Sequence, residues 1–218
     1  MRLVAALVCA LTVLRPVSAS AQEPPPKIGP FVVDLHGTVP RFPDDLNLSD
    51  SRPSPSGAAL GLADLPGSGL GIQIGLHVYL VKWRAVTVGI GGEFTSGRAS
   101  QMPLEGSTTG VATTERFRSL SPQLSFNFGN GNGWSYISGG IGQSVWFLEA
   151  DGTDARPPDE EYLKTINYGG GARWFAKPHV AFSFDVRLYA ISPGTPYFGF
   201  PGTPRTTLLI IGAGVSVK

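Results

Sequence analysis

The chain has 218 residues, a formal net charge of +1, 29 glycines, 19 prolines and a single cysteine, with 15% charged residues against a usual share of about 25%. A near-neutral balance leaves no electrostatic footprint for nucleic acid, and a lone Cys9 excludes a disulfide framework within the chain. So little charge at moderate hydropathy suits a surface that faces lipid better than one that faces water.

Residues 1–21 read as a cleaved secretory signal. Arg2 supplies the positive start, 3–14 carry no charge, and Ala19-Ser20-Ala21 gives the small-x-small pattern of signal peptidase. The apolar run is too short for a membrane helix, which needs about twenty residues. Arg15 and Pro16 end it at once. The mature chain is expected to begin near Gln22, with cleavage after Ala19 as the alternative. Cys9 falls inside the signal, and Val8 before it argues against lipidation. Without the signal no thiol remains for a metal ligand or a nucleophile. Residues 22–218 then form one domain.

No helical apolar period follows. Period-two alternation does, cut by glycine- and proline-rich segments. It predicts eight strands, near 30–39, 68–82, 84–96, 114–128, 133–148, 161–175, 179–191 and 205–217. Their connections alternate strictly. Long segments at 41–66, 97–113, 150–160 and 192–204 are separated by short turns at Lys82-Trp83-Arg84, Gly129-Asn130-Gly131-Asn132-Gly133 and Ala176-Lys177-Pro178. Short turns on the periplasmic side and long loops outside are the asymmetry of a barrel inserted in an outer membrane.

The strand faces agree. In the fourth strand Leu120, Pro122, Leu124, Phe126 and Phe128 oppose Ser119, Ser121, Gln123, Ser125 and Asn127. In the seventh, Val180, Phe182, Phe184, Val186 and Leu188 oppose Ala181, Ser183, Asp185, Arg187 and Tyr189. The fifth gives no clean reading: Ile137, Ile141 and Val145 oppose Trp134, Tyr136 and Trp146, and its facing stays open. A soluble lipocalin-like barrel also alternates, but its water-facing side would be rich in Lys and Glu. Here that side is Gly, Ser, Asn, Gln and Thr, the composition of a crowded lumen. Trp83, Trp134 and Trp174 each stand within about three residues of a short turn, which predicts one periplasmic aromatic girdle.

On these features the mature chain resembles the small eight-stranded outer-membrane barrels of the OmpA and OmpX type. The resemblance is architectural and rests on no short motif. It implies an all-β, antiparallel up-and-down transmembrane barrel in the bacterial outer membrane. It also implies lipopolysaccharide and phospholipid neighbours and insertion by the barrel-assembly machinery. Family barrels close on an aromatic residue that this machinery reads, and here Lys218 stands at that place.

Candidate sites are few. Asp34, His36, His77, Glu93, Gln123, Arg173, Asp185 and Arg187 should face the lumen, with Arg187 and Arg173 pairing Glu93 and Asp185 as a satisfied polar plug. No serine stands at a convincing place beside His36, His77 or His179, so no catalytic residue is assigned. Asp34, His36 and His77, or Asp44, Asp45 and Asp50, are too sparse for a metal site. The glycine clusters open no helix and cradle no phosphate, and no cofactor is expected. The last long loop exposes Tyr197, Phe198 and Phe200 between prolines. Loops on a rigid scaffold carry binding, so the expectation is a non-enzymatic barrel serving envelope integrity or surface interaction, with an extracellular protein or glycan as partner. A narrow pore for small solutes is the alternative, and a soluble ligand-binding barrel a weaker one.

Overall fold

The computed structural model describes residues 27–218 except 53, 56, 58, 59, 104, 106, 108, 155 and 156. The expected signal peptide lies outside the described residues. The alternating segments become β1 (Phe31–Arg41), β2 (Leu70–Trp83), β3 (Val86–Gln101), β4 (Thr113–Asn130), β5 (Gly133–Ala150), β6 (Leu163–Phe175), β7 (Val180–Ile191) and β8 (Thr206–Val217). They pair in chain order, all antiparallel, as a closed barrel. Closure comes from β1 against β8, in register from Val33↔Val217 to Arg41↔Leu209. A closed ladder satisfies every strand's backbone and leaves no edge, which is what lets a sheet cross hydrocarbon.

Local chemistry sets the short turns. Gly129 has φ 141°, and a Cβ there would meet the Gly133 carbonyl at 2.5 Å, so β4 can turn into β5 only on glycine. The Asn130 side chain accepts from the Asn132 N–H at 2.9 Å and tightens that turn. Arg84, at φ 54°, turns β2 into β3. In β2 the register steps from Tyr79↔Gly89 to Val81↔Val88, so Leu80 is a bulge beside the turn. Glycine also makes room inside: a Cβ on Gly91 would meet the Leu76 carbonyl at 2.1 Å and the His77 ring at 2.7 Å. The cluster around it therefore relieves crowding.

The apolar faces point outward. Leu35, Ile74, Leu76, Ile90, Leu124, Phe126, Ile166, Phe182 and Val215 are all exposed on the barrel wall. The fifth strand follows the rule once its facing is seen: Ile137 and Ile141 lie outside, whereas Trp134, Tyr136, Trp146 and Leu148 are buried within. An apolar exterior around a polar interior is the inverse of a lipocalin and excludes the soluble ligand-binding barrel.

Candidate functional site

All eight polar positions expected in the lumen are buried there. Arg187 Nε lies 3.0 Å from Glu93 Oε2 and its Nη2 3.1 Å from Asp185 Oδ2. Because β3 and β7 stand on opposite walls, this pair crosses the barrel. Arg173 departs from expectation. It binds Asp34, with Nε to Oδ1 at 2.8 Å and Nη2 to Oδ2 at 2.5 Å, not Glu93 or Asp185. The reason is height: Arg173 is near the end of β6, level with the start of β1, and it lies 4.0 Å over the Tyr136 ring. Ser216 also donates to Asp34, at 2.5 Å. His77 Nδ1 is 3.8 Å from the same carboxylate. Gln123 donates to Asn167 at 3.5 Å.

Three further members join this network, of which Gln73 and Tyr189 fall on inward faces by the strand period although their partners do not follow from it. Gln73 donates to Glu93 at 2.7 Å, Tyr136 to Asp185 at 2.7 Å, and Tyr189 to Glu93 at 2.6 Å. Contrary to expectation, a serine does stand beside a histidine: Ser183 Oγ is 2.7 Å from His36 Nε2, and His36 Nδ1 faces Gln73 Oε1 at 3.0 Å. This has the outline of a nucleophile–base–orienter chain. Ser183, however, is 0% exposed, and the third group is a neutral amide. With both His36 nitrogens occupied, Asp34, His36 and His77 do not converge on a metal. Among the described residues no group of three or more His, Cys, Asp or Glu could hold one. In the first loop, Asp45 instead accepts from the Asn47 N–H and side-chain amide at 2.9 and 2.8 Å.

Toward the long loops the lumen changes character. Phe117, Trp146, Leu148, Leu163, Tyr189, Ile191, Leu208 and Ile210 form an apolar core inside the barrel. Phe42, Leu48, Leu60 and Leu65 of the first loop join it from above. The first loop is therefore the lid over the mouth. Asp64 anchors it, accepting from Ser107 at 2.5 Å and from the Gly61 N–H at 2.8 Å, while its carbonyl takes the Thr113 hydroxyl. Arg52 ties the same loop to Asp159 at 2.9 Å. An acid of β4 sits among these apolar side chains. Glu115 accepts from Trp146 Nε1 at 2.7 Å. On β4 the apolar exterior begins at Leu120, and outward Arg116 and Arg118 stand above it, so Glu115 is beyond the membrane-spanning part. Burial pushes its carboxyl up to about 8, against the Trp146 bond, and Asp44 adds to the rise.

The aromatic positions divide. Trp83 and Trp174 point outward, 69% and 55% exposed, at the level of the short turns. Trp134 does not join them. It is 3% exposed, faces the lumen and stacks on Phe175 at 5.0 Å, because strand parity turns it inward. Lys218 caps the same end: its Nζ donates to the Gly131 carbonyl and lies 3.8 Å over the Phe175 ring. In the last loop Tyr197 and Phe200 bridge each other, with Phe198 and Gly199 between them at φ 50° and 83°. This is a two-residue turn of the hairpin kind, and it leaves Phe198 86% exposed.

Compared with solved structures, the chain is similar to the crystal structure of Neisserial surface protein A, with TM-score 0.54 and 13% identity over 87% of this chain and 97% of that one. The fold is that of the small bacterial outer-membrane barrels. Its apolar wall and polar lumen make it a transmembrane barrel of that type. OprG from Pseudomonas aeruginosa (TM-score 0.47, 12% identity, 88% and 97% covered) and AlkL (0.40, 15%, 90% and 93%) also resemble it. No protein-family model and no curated sequence matches the chain.

Proposed function

We propose that this barrel is a non-enzymatic envelope protein that works through its outer loops, in surface interaction with an extracellular partner. The observation that carries the reading is the tip of the last loop. A large apolar side chain held 86% exposed on a backbone of positive φ costs stability. Such a feature persists where a function holds it. The lumen supports the same reading. Ion pairs and hydrogen bonds cross it below, the first loop's apolar lid fills it above, and the Ser183–His36 pair is sealed from any substrate. Eight strands leave an interior only wide enough for side chains.

The test uses cells expressing the full chain, scored for adhesion to hexadecane droplets. Phe198→Ser is expected to lower adhesion to the level of cells without the protein, while the folded band on unheated gels stays. Adhesion equal to wild type would overturn the loop reading. Planar-bilayer recordings of the purified barrel are expected to show no steady conductance, and steady conductance would favour the pore instead.

A further inference from the structure

A furrow runs up the outer wall between β3, β4 and β5, and its chemistry changes with height. Its lower part, about 640 Å³, exists because the outward positions Gly92, Pro122 and Gly139 bring little or no side chain, between Ile90, Leu124 and Ile141. Through Pro122 it joins an upper groove of about 910 Å³, walled by Phe94, Leu120, Val145 and Phe147. Pro122 has no N–H, and the β4–β5 pairing is interrupted beside it, between Leu120↔Gln143 and Leu124↔Gly139, with the register kept.

Three arginines crown the furrow, and two of them, Arg116 and Arg118, stand in the wall of its upper groove, level with Phe147 and Val145. Arg98 and Arg116 are direct register partners on the outward face of β3 and β4, and Arg118 follows on the same face. Like charges directly opposite one another destabilise a sheet. Among the described residues Glu149 lies 3.7 Å from Arg116, and Asp159, which pairs with Arg52, and Glu160 line the loop side of the same groove. Arg118 makes no ion pair among the described residues. Arg116 also lies over the Phe147 ring at 5.9 Å, which aims its guanidinium along the groove. Repelling cations at headgroup height, above an apolar channel at acyl-chain depth, match one molecule: an acylated lipid with a phosphorylated headgroup.

We propose that this furrow is a fixed binding site for a phosphorylated outer-leaflet lipid, with the phosphate held by Arg98, Arg116 and Arg118 and an acyl chain lying past Phe94, Leu120 and Pro122. Guanidinium groups suit phosphate because they offer paired donors in a plane. The inference rests on the apolar wall lying in a bilayer and is independent of the loop reading.

The probe is diphosphorylated lipid A, titrated against the full-length folded barrel in detergent micelles and read by native mass spectrometry. Wild type is expected to retain one lipid. The triple variant Arg98→Gln, Arg116→Gln, Arg118→Gln should bind at least about tenfold more weakly. Gly92→Phe should weaken binding similarly by filling the channel, since a Cβ there meets nothing closer than 3.8 Å and the fold is spared. Dephosphorylated lipid A should bind wild type as poorly as lipid A binds the triple variant. Equal affinity of wild type and the triple variant overturns the site, as does displacement of lipid A by millimolar inorganic phosphate. Loss of the heat-shifted gel band in wild type would instead overturn the membrane barrel itself.

Discussion

The two halves of the lumen are held by different forces. Near the short turns, Asp34 with Arg173 and Glu93 and Asp185 with Arg187 bridge the walls by charge. Under the long loops Phe117, Trp146, Leu208 and Ile210 meet Leu48 and Leu60 of the lid in a dry apolar core. Charge gives direction and registry but leaves a partner stranded when one member is lost. Apolar packing fails by degrees, with the volume removed. One barrel therefore holds a brittle half and a graded half, and substitutions on each side should tell them apart.

The largest effect is expected in the charged half. Arg187→Leu leaves Glu93 and Asp185 buried without their cation, at a cost of about 3–5 kcal/mol. Urea unfolding in vesicles should show it, and an unchanged midpoint would mean that the network contributes little. In the apolar half Leu48→Ala removes a fully buried lid side chain. The cost is about 2–4 kcal/mol, spent on opening the lid and not the barrel. Added protease should cut within 42–69 while the folded gel band persists. Loss of the band along with the lid would show that the two halves unfold as one.

That division was only half legible in the sequence. Strand number, loop alternation and the facing of most strands follow from a local period of two, and Asp34 to Arg187 could be placed inside by parity alone. Partners could not. Arg173 meets Asp34 across 139 residues and Ser183 meets His36 across 147, distances over which only the closed geometry decides. In β5 the period was masked, because Gly139, Gly140 and Gly142 mark neither face and the lumen there takes Trp134, Tyr136 and Trp146. Nearness to a turn placed Trp134 at the right height, but height does not fix facing. The lid was hidden for a related reason: Phe42, Leu48, Leu60 and Leu65 follow no period.

Tyr189 joins the halves. Its ring packs edge-on against Phe117 at 5.0 Å, and its hydroxyl donates to Glu93 at 2.6 Å and lies 2.8 Å from Thr95. Tyr189→Phe keeps the ring and removes the bond to the carboxylate, at a cost of about 1–2 kcal/mol. Combined with Leu48→Ala in a double-mutant cycle, it reads the coupling between lid and network directly. A coupling energy near zero would mean that the two halves are independent.

The smallest effect at low pH belongs to Glu115→Gln, and it is the sharpest probe of the apolar half. The Glu115 carboxyl is held at about 8 when folded, against an ordinary value of 4.5. Between these values the closed lid binds a proton that the unfolded chain has released. Lid stability therefore falls as pH rises from about 4.5 to about 8, and is flat beyond. At pH 5 the neutral acid and the amide are near equivalents, since either accepts from Trp146 Nε1, and protease protection of the first loop should match. By pH 8 the wild-type lid should be cut faster, while the Gln variant keeps its low-pH protection. The same decline in both proteins would place the titrating group elsewhere, and no decline in either would mean that water reaches Glu115 and the outer half is not dry.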